Sequence, residues 1–256
     1  MKNRAIKTEY KVVCGLPPMR IAVAADLHNS PWNDTVEIIA NSDPDIIVSP
    51  GDLFGALTED RSLGEELSGR YVEEAKNNEV GFEFLREVSK IAPVYCSVGN
   101  HEVRVSAENR EKILETGARL LDNEYIILEN GIALGGLSTG GAHGLFHRSD
   151  EPDTEWLRSF ASLDAPKILL SHHPEYWERY IRGLGIELTL SGHAHGGQWR
   201  FFGRGVFAPG QGFLPKYTSG VHKKDMEYLV VSRGLRKSTE IPRINNPLEV
   251  LIIDLV

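Results

Sequence analysis

Five short stretches of this 256-residue chain carry side chains able to bind a metal or move a proton. They are Asp26-Leu27-His28, Gly51-Asp52, Gly99-Asn100-His101-Glu102, His172 with its neighbour His173, and Gly192-His193-Ala194-His195. Asp, Asn and His without cysteine make a donor set for borderline divalent ions such as Mn²⁺, Fe²⁺ or Zn²⁺. Asp26, His28, Asp52, Asn100, His172, His193 and His195 are more donors than one tetrahedral ion uses. They divide into two ions sharing one carboxylate. Two ions about 3.5–4 Å apart form the clamp of phosphoryl hydrolysis, where one orients the phosphate and both lower the pKa of a shared water.

Each stretch ends an apolar run: RIAVAADLH (20–28), DIIVSPGDL (45–53), PVYCSVGNHE (93–102), KILLSHHP (167–174) and ELTLSGHAHGG (187–197). Such runs read as buried strands. In open α/β sheets, sites form outside the carboxyl ends of strands, so these polar ends are expected to meet in one crevice. Between the runs, DTVEIIANSD (34–43), SAENREKILETG (106–117) and EPDTEWLRSFASLD (151–164) have helical character, with Ser106 as an N-cap and Gly117 as a stop. EYIILENGIALGGLS (124–138) reads as a hairpin around ENG, and EYLVVSRG (227–234) and LEVLIIDLV (248–256) as strands. Residues 55–92 are polar and helical in character, and match no motif. The alternation predicts α/β layers, with a mixed sheet or two sheets face to face.

Composition is that of an ordinary globular chain, 41% hydrophobic and 25% charged, and one domain over 1–256 is expected. Cys14 and Cys96 make no disulfide framework; Cys96, inside PVYCSV, reads as a core thiol. The basic N-terminus has no apolar h-region, and no stretch approaches the roughly 20 apolar residues that span a bilayer. A cytoplasmic protein is the resulting expectation. A net charge of −8 argues against sequence-independent binding of long nucleic acids.

Taken in order, the five motifs resemble those of the calcineurin-like metallophosphoesterase superfamily. The tail with GHAHGGQ, YTSG, VSRGL and RINNPLEVLIIDL is similar to its bacterial YkuE/YaeI-type branch. The resemblance implies a four-layer α/β/β/α sandwich of two mixed sheets flanked by helices. It implies two divalent ions, Mn, Fe or Zn, with Asp26, His28 and His195 on the first, Asn100, His172 and His193 on the second, and Asp52 bridging them. His101 would protonate or hydrogen-bond the leaving oxygen. Glu102 would be a carboxylate orienting a histidine. The implied reaction is hydrolysis of a small-molecule phosphoester by metal-activated hydroxide. A phosphodiester is favoured over a phosphomonoester or a nucleotide-lipid pyrophosphate. A nuclease is disfavoured by the charge, and a non-catalytic scaffold by the complete donor set. No obligate protein partner is evident.

Several residues carry competing readings. His173 competes with His172, since neighbours in an extended segment point opposite ways; the motif favours His172. His143, His147 and His222 read as surface or substrate-rim residues, with GGAHGLFHR a candidate substrate loop. Arg233 is either a phosphate fork or a plain surface residue. Asn29 is a candidate for the site lining. Trp156 and Trp177 read as packing, and Trp199 as a border of the cleft. Residues 55–92 are expected to shape the substrate pocket.

Overall fold

The computed structural model describes residues 4–55, 57, 77–103, 105–139, 150–209, 211–236 and 242–256. Two six-stranded sheets dominate them. The first comprises β1 (Ile6–Val12), β2 (Met19–Val23), β3 (Ile46–Ser49), β4 (Val94–Ser97), β5 (Ala118–Leu121) and β16 (Glu249–Leu255), in the order β1-β16-β2-β3-β4-β5. The second comprises β6 (Glu124–Ile127), β7 (Ala133–Leu137), β8 (Lys167–Ser171), β9 (Leu188–Ser191), β14 (Gly220–Lys224) and β15 (Glu227–Val231), in the order β14-β15-β9-β8-β7-β6. Both are mixed. β2 to β5 run parallel and β16 antiparallel to β2; β7, β8, β9 and β15 run parallel, with β6 and β14 antiparallel at the edges.

Strand periodicity sorts the side chains into layers. Ile21, Val23, Leu251 and Ile253 of the first sheet meet Ile168, Leu170, Leu188, Leu190 and Val230 of the second in one apolar cluster. The alternate residues Ala22, Ile47, Cys96, Val250 and Ile252 face the other way. They are covered by α1 (Asn33–Ala40), α2 (Glu79–Val88) and α3 (Ala107–Glu115) through Ile39, Phe84, Leu85, Val88 and Ile113. Beyond the second sheet, Leu169, Leu229 and Val231 pack under Leu157 and Phe160 of α4 (Thr154–Ala161) and under Trp177 and Ile181 of a single π-helical turn. The arrangement is α/β/β/α. Strands buried on both faces explain the near-continuous apolar runs.

Local signals hold where they were legible. Ser106 caps α3 by accepting from the Asn109 N–H, and Gly117, with φ +90°, stops it. Cys96 is buried in the core. β1, an edge strand with four exposed residues, is an element the basic N-terminal segment did not announce. Of the segment 55–92, α2 is the helix among the described residues; residues 56 and 58–76 lie outside them. Among the described residues, no helix is long and apolar enough to cross a membrane.

Two register facts place the C-terminal part of the chain. β16 runs antiparallel to β2, with Leu251 opposite Val23, so the segment entering β16 lies at the carboxyl end of β2. β15 is parallel to β9, with Val231 opposite Ser191, so residues 232–236 emerge at the same end.

Candidate metal centre

The donors leave the carboxyl ends of β2, β3, β4, β8 and β9. The strands stop earlier than their apolar runs, at Val23, Ser49, Ser97, Ser171 and Ser191. Past β2 and β3 the two chains stay hydrogen-bonded: Asp26 N–H donates to Gly51 O at 3.1 Å, and His28 N–H to Asp52 O at 3.1 Å. What changes is the backbone. Asp26, His28, Asp52, His193 and His195 all have φ between 45° and 63°, the left-handed region that side chains other than Gly seldom occupy. Such strain persists only where its surroundings hold it, and here it turns successive side chains into one pocket. Close backbone approach completes the fit. A Cβ on Gly192 would stand 2.7 Å from Asp26 Oδ2, and one on Gly99 would overlap Asp52 Oδ1.

Asp52 is the hub. Its Oδ2 lies 3.2 Å from His172 Nε2, 3.4 Å from His28 Nε2 and 4.0 Å from His101 Nε2. His172 Nε2 is also 3.1 Å from Asn100 Oδ1, and His172 Nδ1 is 3.1 Å from Pro50 O. Donor atoms of Asp26, His28 and His195 lie within 4.8 Å of one another, as do those of Asp52, His172 and His193. Two donor groups thus form on either side of one carboxylate. Asp26, His28, Asp52, His172, His193 and His195 are all buried, and Asn100 and His101 half-buried.

The chemistry of these atoms tests whether a cation fits. Asp26 Oδ2, His28 Nε2, His193 Nε2 and His195 Nδ1 are buried and have no hydrogen-bond partner among the described residues. Buried polar atoms are normally satisfied, and this cluster of lone pairs fits divalent ions. Burial pushes the His28, His193 and His195 imidazoles far towards the neutral form that ligates. Burial pushes Asp26 up to about 6, against the pull of His172. Burial also opposes ionisation of Asp52, but His172, His101 and His28 outweigh it and hold the carboxyl well below its usual range. For His172 burial works downward, and the charge and hydrogen bond of Asp52 overcome it to give about 9.

Other expectations change. Among the described residues Glu102 bonds to no histidine. Its carboxylate accepts from the backbone N–H groups of Asp52 (2.9 Å), Leu53 (2.7 Å), Phe54 (3.1 Å) and Gly99 (2.8 Å), bracing the loops that carry Asp52 and Asn100. Arg233 is half-buried rather than a plain surface residue: it pairs with buried Glu249 at 2.6 Å and donates to Thr8 Oγ1. His173 faces Glu175 (Nδ1 to Oε1, 3.3 Å) and stacks beside His193, while His172 reaches Asp52 and Asn100. Asn29 donates to Asn78 Oδ1. Trp156 stacks on Phe160 and Trp177 is buried, both as packing. His222 sits on the edge strand β14 against Tyr217. His143 and His147 lie outside the described residues.

Three residues come from the returning chain and were not singled out as site residues in the sequence. Arg236 Nη1 is 3.4 Å from His28 Nδ1. Arg243 is half-buried, with its guanidinium nitrogens covered; burial lowers it to about 10, against the pull of Asp26, and both its Nη atoms lack a partner among the described residues. Asn246 Nδ2 donates to His195 O at 2.7 Å, holding that turn.

Comparison with known proteins agrees with this geometry. The chain is 26% identical over 248 residues to an uncharacterized metallophosphoesterase of Aquifex aeolicus, covering 92% of this chain and 84% of the relative. It is 26% identical over 255 residues to phosphodiesterase YaeI of Escherichia coli, covering 93% and 83%. To the uncharacterized protein YpbG of Bacillus subtilis it is 28% identical over 200 residues, covering 76% and 67%. The family model described as calcineurin-like phosphoesterase matches residues 19–197, a span that holds every donor from Asp26 to His195. The chain therefore belongs to the calcineurin-like phosphoesterases, metal-using hydrolases of phosphoric esters.

Proposed function

We propose that this enzyme is a dinuclear phosphodiesterase. Asp26, His28 and His195 hold one ion, Asn100, His172 and His193 the other, and Asp52 both. The observation that carries the dinuclear reading is the position of Asp52 Oδ2 between His28 and His172, flanked by buried donors without partners. When bound, such a pair of ions supplies Lewis acidity to phosphoryl oxygens and hydroxide from water near neutral pH. Asn100 contributes a neutral oxygen, which keeps the pocket attractive to an anionic phosphate. The Pro50 carbonyl accepts from His172 Nδ1–H, leaving Nε2 to ligate. The diester preference is supported by the likeness to YaeI, named a phosphodiesterase.

His101 is placed for proton transfer. Its Nδ1–H donates to Gly55 O at 2.6 Å, which turns Nε2 towards Asp52 and the pocket. From there Nε2–H donates to the leaving oxygen. His101→Gln is expected to lower kcat about 10²–10⁴-fold, the usual weight of a general acid. Bound metal, counted by atomic emission, should stay unchanged; loss of metal instead would make His101 a ligand.

Metal uptake should depend on pH with a definite sign. Ligands bind deprotonated, so protons compete. Below about 6, both Asp26 and His172 carry protons in the metal-free protein; between about 6 and 9, only His172 does. The logarithm of the Mn²⁺ association constant should therefore climb with a slope near one up to pH 9 for the ion on His172, and with a slope near one only up to pH 6 for the ion on Asp26, then level off. Chelator competition at a series of pH values measures it. A flat profile from 6 to 9 would remove His172 from the ligand set.

The reaction itself is tested with protein stripped by chelator and reloaded with Mn²⁺. Turnover of bis(p-nitrophenyl) phosphate above that of p-nitrophenyl phosphate, with two ions per chain, supports the proposal. A monoester preference overturns the diester part alone, and one tightly held ion overturns the dinuclear part.

A further inference from the structure

The stretch after His195 departs from the rest of the chain in charge. Between Glu187 and Asp225 there is no acidic residue, while Arg200, Arg204, Lys216, Lys223 and Lys224 are basic; the whole chain is −8. Two small antiparallel ribbons lie within it: β10 (Arg200–Phe201) with β11 (Arg204–Gly205), and β12 (Phe207–Ala208) with β13 (Gly212–Phe213). They are joined by the Leu214 N–H, which donates to Val206 O at 2.8 Å. Their roots are fixed to the metal-centre turn. Arg200 Nη1 donates to Gly196 O at 2.7 Å, and the Val206 N–H to Gly197 O at 3.1 Å.

Apolar side chains on them are bare, Phe202 at the turn of the first and Phe213 and Leu214 at the end of the second. Phe202 is fully exposed, Leu214 83% and Phe213 70%. Phe202 and Leu214 also have φ of 50° and 51°, a conformation unfavourable for bulky residues. Strain is thus borne to turn two apolar side chains outward, where water disfavours them. Exposed apolar groups beside basic ones form the pattern of an interfacial membrane contact: the apolar side chains enter the headgroup boundary and the cations meet anionic lipid.

We propose that the exposed apolar residues Phe201–Phe202, at the turn of the first ribbon, and Phe213–Leu214, at the end of the second, together with Arg204, dock this enzyme on an anionic phospholipid surface. Charge complementarity selects that occupant: the remainder of the chain is acidic and is repelled by the same surface, so this face alone turns towards it. An aliphatic Leu214 beside the phenyl rings favours hydrocarbon over the stacked bases of a nucleic acid. Phe202 follows His195 by seven positions, at most about 24 Å of chain, so the docked surface lies within that reach of the metal centre. The proposal stands apart from the diester reading, because its test needs no turnover.

The test is co-sedimentation with vesicles of phosphatidylcholine and phosphatidylglycerol, compared with phosphatidylcholine alone. Wild type should bind the anionic vesicles more tightly. Phe202→Asn with Leu214→Asn should weaken that binding about tenfold or more. Asn tolerates left-handed backbone, so the ribbons should keep their shape. Hydrolysis of a soluble aryl phosphoester should be unchanged. Arg204→Gln should weaken binding to the anionic vesicles only. Three results would overturn the proposal: no vesicle binding by wild type; binding indifferent to the double variant; or, without vesicle binding, a dimer or an oligothymidylate complex that the double variant abolishes. The last would give the patch to a second copy or to single-stranded nucleic acid.

Discussion

Asp52→Asn is expected to lower kcat/KM about 10²–10⁴-fold and to cost the chain bound metal, read as ions per chain by atomic emission. The substitution is nearly isosteric. The Asn oxygen can still accept from the His101 N–H, as Asp52 Oδ1 does at 3.0 Å. What goes is Oδ2, which faces His28 at 3.4 Å and His172 at 3.2 Å. In its place stands an amide N–H, a donor pointed at nitrogen atoms whose lone pairs the metal needs. Removing one partner of a buried charge pair costs about 3–5 kcal/mol of stability, and a loss of the same size in the transition state is the fold-change above at about 1.4 kcal/mol per decade. The metal-free protein gives an independent readout. His172 is held protonated to about 9 chiefly by Asp52, against burial. The variant should therefore melt lower even in chelator, by about 2–4 °C for each kcal/mol lost. Retention of full metal and activity would remove Asp52 from the centre.

The sequence was legible where one physical demand fell on one short segment. A strand buried on both faces has to be apolar throughout, and a carboxyl-end site has to be polar at once thereafter. RIAVAADLH and ELTLSGHAH satisfy both within nine residues each. That is why the donors could be chosen before the fold was known, and why the layers followed from the runs. What could not be read depends on where the chain returns. β1 lies at a sheet edge with four exposed residues, so the alternation of Lys, Glu and Tyr gives no apolar signal. Arg236, Arg243 and Asn246 come to the site because β16 inserts between β1 and β2. That pairing spans more than 200 residues and leaves no trace in local spacing. The role of Glu102 was misread for a related reason. The family resemblance implied an imidazole partner, but left-handed Asp52 and the close approach of Gly99 aim four N–H groups at one carboxylate.

That carboxylate carries the second large effect. Glu102→Gln should lower the melting temperature by about 5–15 °C and weaken metal binding about 10–100-fold. Glu102 Oε1 accepts from Leu53 and Phe54, and Oε2 from Asp52 and Gly99. A glutamine keeps one of those oxygens. Its amide then points two N–H bonds at two backbone N–H groups, whichever way it is turned. Each buried donor left unpaired costs about 1–3 kcal/mol. At about 2–4 °C per kcal/mol in a chain of this size, two such donors give the expected shift. Release of the backbone at Asp52 and Gly99 also lets Asp52 and Asn100 drift, and loss of a supporting contact typically costs a metal site 10–100-fold. The two measurements together separate this role from the imidazole partner that the sequence suggested. A group that only oriented a histidine would weaken metal binding and leave the metal-free melting temperature in place. A fall in both, with the metal-free protein as affected as the loaded one, belongs to a carboxylate that holds two loops together.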